Sequence, residues 1–229
     1  SHYELIKDVN WYTRRGGNNA TIGRRLLDSW TYLISVSTPH LAEEWGRCLA
    51  LSNMVSASGM NAVGDVSSAE QNILDYEFIM RNVLENSRKI MAIAEKHLDG
   101  KADKLTLILS PKWKNQLSRE AITYLNNGGN VKQFIQELKQ MDFVNNENMG
   151  QILSYWNKKM LSQVFKWDDK AKSLILDCIN EHEVLSARAS FIAKELGLSE
   201  VTVVDAEDYQ GGDGRENSAL PLSPSIVFA

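Results

Sequence analysis

Apolar residues at Ile22, Leu26, Leu27, Trp30, Leu33 and Ile34 recur every three or four positions. That spacing predicts an amphipathic helix from Thr21 to about Ser37. Pro39 cannot continue this helix but suits the first turn of another, with the Thr38 hydroxyl as N-cap and Glu43 and Glu44 near the positive end of its dipole. Leu41, Trp45, Cys48 and Leu49 are the expected buried face of that second helix. A polar, glycine-containing loop at 52–67 leads to a long helix from about Ser68 to Leu98, whose stripe is Ile73, Tyr76, Met80, Val83, Ser87, Ile90, Ala94 and Leu98. Helices of this length predict a bundle. Asp99 to Asp103 reads as its end and a linker.

The period then changes. Lys104 to Ser110 is short, apolar and β-rich and stops at Pro111, which predicts a buried strand. Helical spacing returns over Trp113–Leu125, Val131–Met141 and Glu147 to about Met160, with one or two further helices between Asp168 and Leu196 and Gly197 as a C-cap. Glu200–Asp205 and Pro224–Phe228 are two more strands. The expected fold class is mainly α with a small α+β part: a helical bundle over residues 1–100, then a helix-rich domain over 101–229 with a short three-stranded sheet.

Charge modifies this picture locally. The whole chain has a net charge of −4, which argues against holding nucleic acid by non-specific charge alone. Residues 101–172 nevertheless carry 12 Lys and Arg against 7 Asp and Glu, and residues 173–229 carry 3 against 10. The middle of the chain is its basic part. Cys48 and Cys178 stand far apart with no paired cysteine nearby, as expected of buried apolar side chains in a reducing compartment. No run of about 18 apolar residues and no secretory signal pattern is present, so a cytoplasmic protein without a membrane partner is expected. Ser1-His2 reads as the scar of a cleaved tag, and the sequence reads as cut from something longer.

Catalytic signatures are missing: no phosphate loop ending in Lys-Ser/Thr, no Gly-x-Ser-x-Gly, no His-Glu-x-x-His and no cysteine pairs for zinc. Gly211-Gly212-Asp213-Gly214 and Asn126 to Asn130 read as loops. His40, His97 and His182 each lack a local partner and read as structural. Basic residues interleaved with aromatics are more suggestive. Arg14 and Arg15 follow Trp11-Tyr12-Thr13, Arg24-Arg25 comes next, and Lys112-Trp113-Lys114 follows the first strand. Such residues can neutralise phosphates and stack on unpaired bases, or they can form a solvated face with the tryptophans in the core. From Asn217 to Ala229 no side chain is charged. That ending can complete a sheet, or it can offer backbone groups to base edges.

Trp11-Tyr12-Thr13-Arg14-Arg15, Leu27-Asp28-Ser29-Trp30 and Pro39-His40-Leu41-Ala42-Glu43-Glu44-Trp45 together resemble the helical anticodon-binding domain of class I aminoacyl-tRNA synthetases, in the branch serving leucine, isoleucine, valine and methionine. Leu107 to Lys114 and Ala219 to Phe228 are similar to the C-terminal region of leucyl-tRNA synthetases of the archaeal and eukaryotic type. The resemblance implies a C-terminal portion of such an enzyme. The partners implied are leucine tRNA and the upstream catalytic and editing domains. The motifs that use ATP and Mg in the parent enzyme are absent here, so no cofactor, no metal and no catalytic residue are expected in this piece.

The resemblance also implies that the long variable arm of leucine tRNA is read by the extreme C-terminus, here Pro224, Ser225, Ile226, Val227, Phe228 and Ala229. Backbone or stacking contacts then fall to Arg14, Arg15, Arg24, Arg25, Lys112, Trp113 and Lys114. The family usually has a basic stretch before Ala219, where only Arg215 is positive here. The Pro39 to Glu44 segment is expected to position two helices rather than to catalyse. A module that braces the synthetase body without binding RNA is the alternative, and an independent enzyme is disfavoured for want of a catalytic constellation.

Overall fold

In the computed structural model, which describes residues 2–51, 55, 67–94, 102–145, 148–212 and 214–229, Asn19 starts the helix that the Ile22 to Ile34 stripe predicts. Its side-chain oxygen accepts the N–H groups of Thr21 and Ile22 at 2.9 and 3.2 Å. This cap supplies acceptors for N–H groups that have no partner inside the first turn. The chain divides into two compact units, Ser1–Val66 and Ser67–Ala229.

The first unit holds α1 (His2–Arg14), α2 (Ala20–Ser35) and α3 (Pro39–Cys48). Pro39 opens α3 as expected, but the Thr38 hydroxyl does not cap it. It donates instead to the Ile34 carbonyl at 3.1 Å and closes the end of α2. The buried face of α3 is also not the predicted one. Ala42 and Gly46 are buried, as is Thr31 of α2, whereas Leu41, Trp45 and Cys48 are exposed. Small residues bring the backbones close: a Cβ on Gly46 would stand 2.6 Å from the Val55 side chain. Trp45 meets the ring of Trp30 edge-on, with centroids 6.2 Å apart. Most of the 52–67 loop lies outside the described residues.

The second unit begins with α4 (Ser68–Ala94). Ser67 and Glu70 form its reciprocal cap: the Ser67 N–H donates to Glu70 Oε2 at 2.8 Å, and the Glu70 N–H donates to Ser67 Oγ at 3.3 Å. Next come β1 (Lys104–Ile108), α5 (Lys112–Asn126), α6 (Val131–Leu138) and α7 (Met149–Tyr155). A π-helical turn, Trp156–Met160, joins α7 to α8 (Leu161–Lys166). Three short helices rather than one or two follow: α9 (Asp169–Leu176), α10 (Glu181–Ser186) and α11 (Ala189–Leu196), capped by Gly197 at a φ of 69°. Then come β2 (Glu200–Val204) and β3 (Ser225–Phe228). The last positions assigned to the long helix by its stripe, with His97 and residues 99–101, lie outside the described residues.

The sheet order is β2-β1-β3, with β1 parallel to β2 and antiparallel to β3. The run from α5 to α11 is therefore the crossover that a parallel neighbour requires. Leu105, Leu107 and Ile108 of β1 are fully buried, as are Leu117, Ala121 and Ile122 of α5. Phe134 lies between Tyr124 and Trp156, at centroid distances of 5.2 and 4.6 Å.

The sequence pattern groups α4 with the N-terminal bundle, yet α4 packs inside the second unit. Ile79, Met80, Val83 and Leu84 are its buried face, and its neighbours are α10, α11 and β3. Arg88 pairs with Glu195 of α11 at 2.8 Å, the largely buried Asp75 pairs with Lys170 of α9, and the Arg188 guanidinium sits over the ring of Tyr76. The chain is mainly helical with one small sheet, the expected fold class.

Candidate nucleic-acid interface

Lys114 lies on the stripe that α5 buries, together with Leu117, Ser118, Ala121 and Ile122. It is 2% exposed, and its ammonium donates to the backbone carbonyls of Asn217 and Ala219, at 2.8 Å each. Burial, helped by the nearby Lys159 ammonium, pulls its pKa down to about 8. The expectation that Lys114 contacts phosphate is thereby corrected: the side chain is buried, and two of its donors are committed to backbone carbonyls inside the protein. What it does instead is fix the segment that leads into the C-terminal strand. Ser218 reinforces that anchor through a hydroxyl contact of 2.9 Å with Ser225.

The C-terminal residues complete the sheet as its edge. Lys104 and Ala229 exchange both backbone hydrogen bonds, at 2.9 and 3.0 Å, which sets the antiparallel alternation. Leu105–Phe228 and Leu107–Ile226 are consequently the pairs without mutual bonds. The N–H and C=O groups of Ile226 and Phe228 therefore point away from β1. The Ile226 side chain is buried, while Val227 and Phe228 are half-buried. The edge offers backbone donors and acceptors in an uncharged setting.

Beside the anchored segment runs a groove of about 220 Å³ lined by Trp113, Gln151, Ser154, Lys158, Lys159 and Asn217 among others. Trp113 is half-buried and meets Tyr155 edge-on at 5.2 Å. Burial raises the pKa of the Tyr155 hydroxyl above its ordinary value. Lys158 and Lys159 are exposed on the π-helical turn, and sequence reasoning had not selected them. Their signal was there in the spacing. Ile152, Trp156, Met160 and Val164 are all buried and all four apart. On an ideal α-helix that spacing drifts by about 40° per step, and one wider turn takes up the drift. The two lysines fall on the opposite, solvent side.

The remaining basic candidates are distributed differently. Arg14, Arg15, Arg24 and Arg25 all belong to the first unit. The Arg14 guanidinium sits 5.5 Å from the centroid of the Trp11 ring, and Arg24 pairs with Asp28 at 2.9 Å. Lys112 is exposed in the second unit, and its backbone N–H donates to Glu207.

His40 and His182 are exposed. Among the described residues no three His, Cys, Asp or Glu side chains gather into a metal site, and no helix is long and apolar enough to cross a membrane. Both cysteines are exposed free thiols, against the expectation of burial. Cys48 sits on the open side of α3. Cys178 sits in a left-handed turn with a φ of 54°, where the Arg119 guanidinium donates to its sulfur.

No protein-family model matches the chain. Curated relatives match it almost end to end. A leucine–tRNA ligase of Methanococcus vannielii is 29% identical over 230 residues, covering 99% of this chain and 21% of the relative. One of Methanococcus maripaludis is 28% identical over 228 residues with the same coverage. Leucine–tRNA ligase 2 of Sulfurisphaera tokodaii is 27% identical over 214 residues, 91% of this chain and 21% of the relative. The homologues of this chain are archaeal leucyl-tRNA synthetases, and it spans about one fifth of their length.

Proposed function

We propose that the chain is the tRNA-binding portion of a leucyl-tRNA synthetase. It holds leucine tRNA for leucylation by a catalytic domain elsewhere in the same polypeptide. The C-terminal strand reads unpaired bases at the tip of the variable arm through the outward N–H and C=O groups of Ile226 and Phe228. Lys112, Lys158 and Lys159 carry phosphates, and Trp113 supplies an aromatic surface for stacking. Arg14, Arg15 and Arg25 provide further phosphate contacts from the first unit. The observation that carries this reading is the uncharged edge strand, held in place by Lys114 and Ser218 beside a basic, aromatic groove.

Removing residues 224–229 would also strip β1 of a partner, so point substitution is the sharper experiment. Phe228→Pro deletes an outward N–H without taking a bond from β1, and proline is tolerated on sheet edges. Fluorescence anisotropy against leucine tRNA, with its variable arm intact or shortened, should show discrimination in the parent chain that Phe228→Pro loses. Lys158→Ala with Lys159→Ala should weaken both tRNAs alike and flatten the salt dependence. Equal discrimination in Phe228→Pro would sink the base-reading role.

A bracing role for the first unit is favoured by a separate observation. Leu33 of α2, Val36 of the junction and Leu41 of α3 are 52%, 92% and 41% exposed. Apolar exposure of that extent suits a face set against another part of the synthetase.

A further inference from the structure

At the carboxyl ends of β1 and β2, two cavities of about 360 and 210 Å³ share walls at Lys112, Asn115, Ile179 and Glu181. One oxygen of Glu181 accepts the Leu222 N–H at 3.0 Å. The other, together with Asn115 Oδ1 and Ser110 Oγ, is buried with no hydrogen-bond partner among the described residues. Three such atoms in adjoining walls are unusual, because buried polar groups are nearly always paired.

Charge narrows what could complete them. Lys112 and Arg119 bring positive charge to the larger cavity, where Glu181 and Asn115 present acceptors, and Asp205 and Glu207 add carboxylates to the smaller one. The ligand must bring hydrogen-bond donors for Glu181 and Asn115 and negative charge for Lys112 and Arg119. It also needs an apolar face, for Ile175, Ile179 and Pro221 form one wall.

We infer that this double cavity takes an unpaired guanine nucleotide of an RNA strand. Glu181 accepts the N1–H and N2–H of its Watson–Crick edge, Asn115 accepts the second N2–H, and Lys112 and Arg119 neutralise its phosphate. Guanine is the base that offers two adjacent donors to a carboxylate. Adenine and cytosine set a ring acceptor beside their amino group, and uracil flanks its single donor with two carbonyls. A free amino acid carries both charges as well, but the larger cavity alone is of a size that suits a nucleotide. Burial holds the Glu181 carboxyl up at about 7, so donors arriving there replace lost solvation. The inference rests on the RNA-binding role proposed above and adds a site for one base.

The test is a ¹⁵N NMR titration of the chain with guanosine 5′-monophosphate, reading the Leu222 amide that Glu181 already holds. A saturable shift is expected, with adenosine 5′-monophosphate at least about tenfold weaker. Glu181→Gln keeps an acceptor for Leu222 but turns a donor toward the base, so it should weaken the guanine nucleotide about tenfold while the rest of the spectrum persists. An unmoved Leu222 amide would mean that water alone fills the cavity and the inference is wrong. It also fails if both nucleotides bind equally, if leucine moves Leu222 instead, or if Glu181→Gln binds undiminished. Leucine tRNA binding by a chain that ignores the guanine nucleotide would spare the proposed function and sink this site. A nucleotide response without tRNA binding would do the reverse.

Discussion

The two units bury their apolar residues to different ends. In Ser67–Ala229 the sheet, α5 and the turn around Trp156 enclose side chains as large as Phe134, Trp156 and Ile122 with 0–1% exposure. Among the described residues of Ser1–Val66 the buried positions are small, Ala42, Gly46 and Thr31, with Val55 beside them, while Ile22, Leu27 and Leu33 remain 40–52% exposed. The second unit is a closed core that can hold a side chain or a strand edge in fixed geometry. The first is a helical surface with an apolar side to spare. Recognition that depends on exact placement belongs on the closed core, and contact by charge or by area can be carried by the open one.

Substitution separates the two most sharply. Phe134→Ala should cost the second unit about 3–5 kcal/mol, since it leaves a void between Tyr124 and Trp156. Leu33→Ala in the first unit should change stability by less than about 0.5 kcal/mol. Urea denaturation of both variants checks the contrast, and similar losses would erase it.

Lys114→Met is the next largest effect. It keeps the length of the side chain but orphans the carbonyls of Asn217 and Ala219. A loss of about 1–3 kcal/mol is expected in the same denaturation experiment. Hydrogen exchange should also accelerate along β3, because the anchor of its leading segment is gone. Loss of stability with β3 protection unchanged would detach Lys114 from the strand.

A smaller effect lies in pH. Burial raises the Glu181 carboxyl from 4.5 to about 7, and the Leu222 N–H opposes this only in part. The folded state therefore keeps a proton that the unfolded state releases between these values. Stability should fall as pH rises from about 4.5 to 7 and then level off. Glu181→Gln should flatten the decline in thermal melts across that window. An unchanged slope would place the titration elsewhere.

Much of this was legible in the chain itself. The three-to-four spacing of Ile22 to Ile34 and of Met80 to Ser87 marks α2 and α4, and the β-rich run before Pro111 marks β1. Helical spacing does not say which unit a helix joins, and α4 joined the second through Asp75, Arg88 and Tyr76. Nor does it say which face small residues will choose, so Ala42 and Gly46 displaced the expected Leu41 and Trp45. The role of Lys114 was visible in principle, three, four, seven and eight residues from Leu117, Ser118, Ala121 and Ile122 on one stripe. It was obscured because Lys112-Trp113-Lys114 also matches a phosphate-binding pattern. Glu181 gave no sequence signal at all, as its hydrogen-bond partner Leu222 lies some forty positions away.

The central claim is that a strand edge on the closed unit reads leucine tRNA. The direct measurement is anisotropy of the parent chain and Phe228→Pro against leucine tRNA with an intact or shortened variable arm. Discrimination in the parent that vanishes in Phe228→Pro, with unchanged circular dichroism, is the predicted result. Discrimination that survives the loss of that outward N–H would contradict the claim.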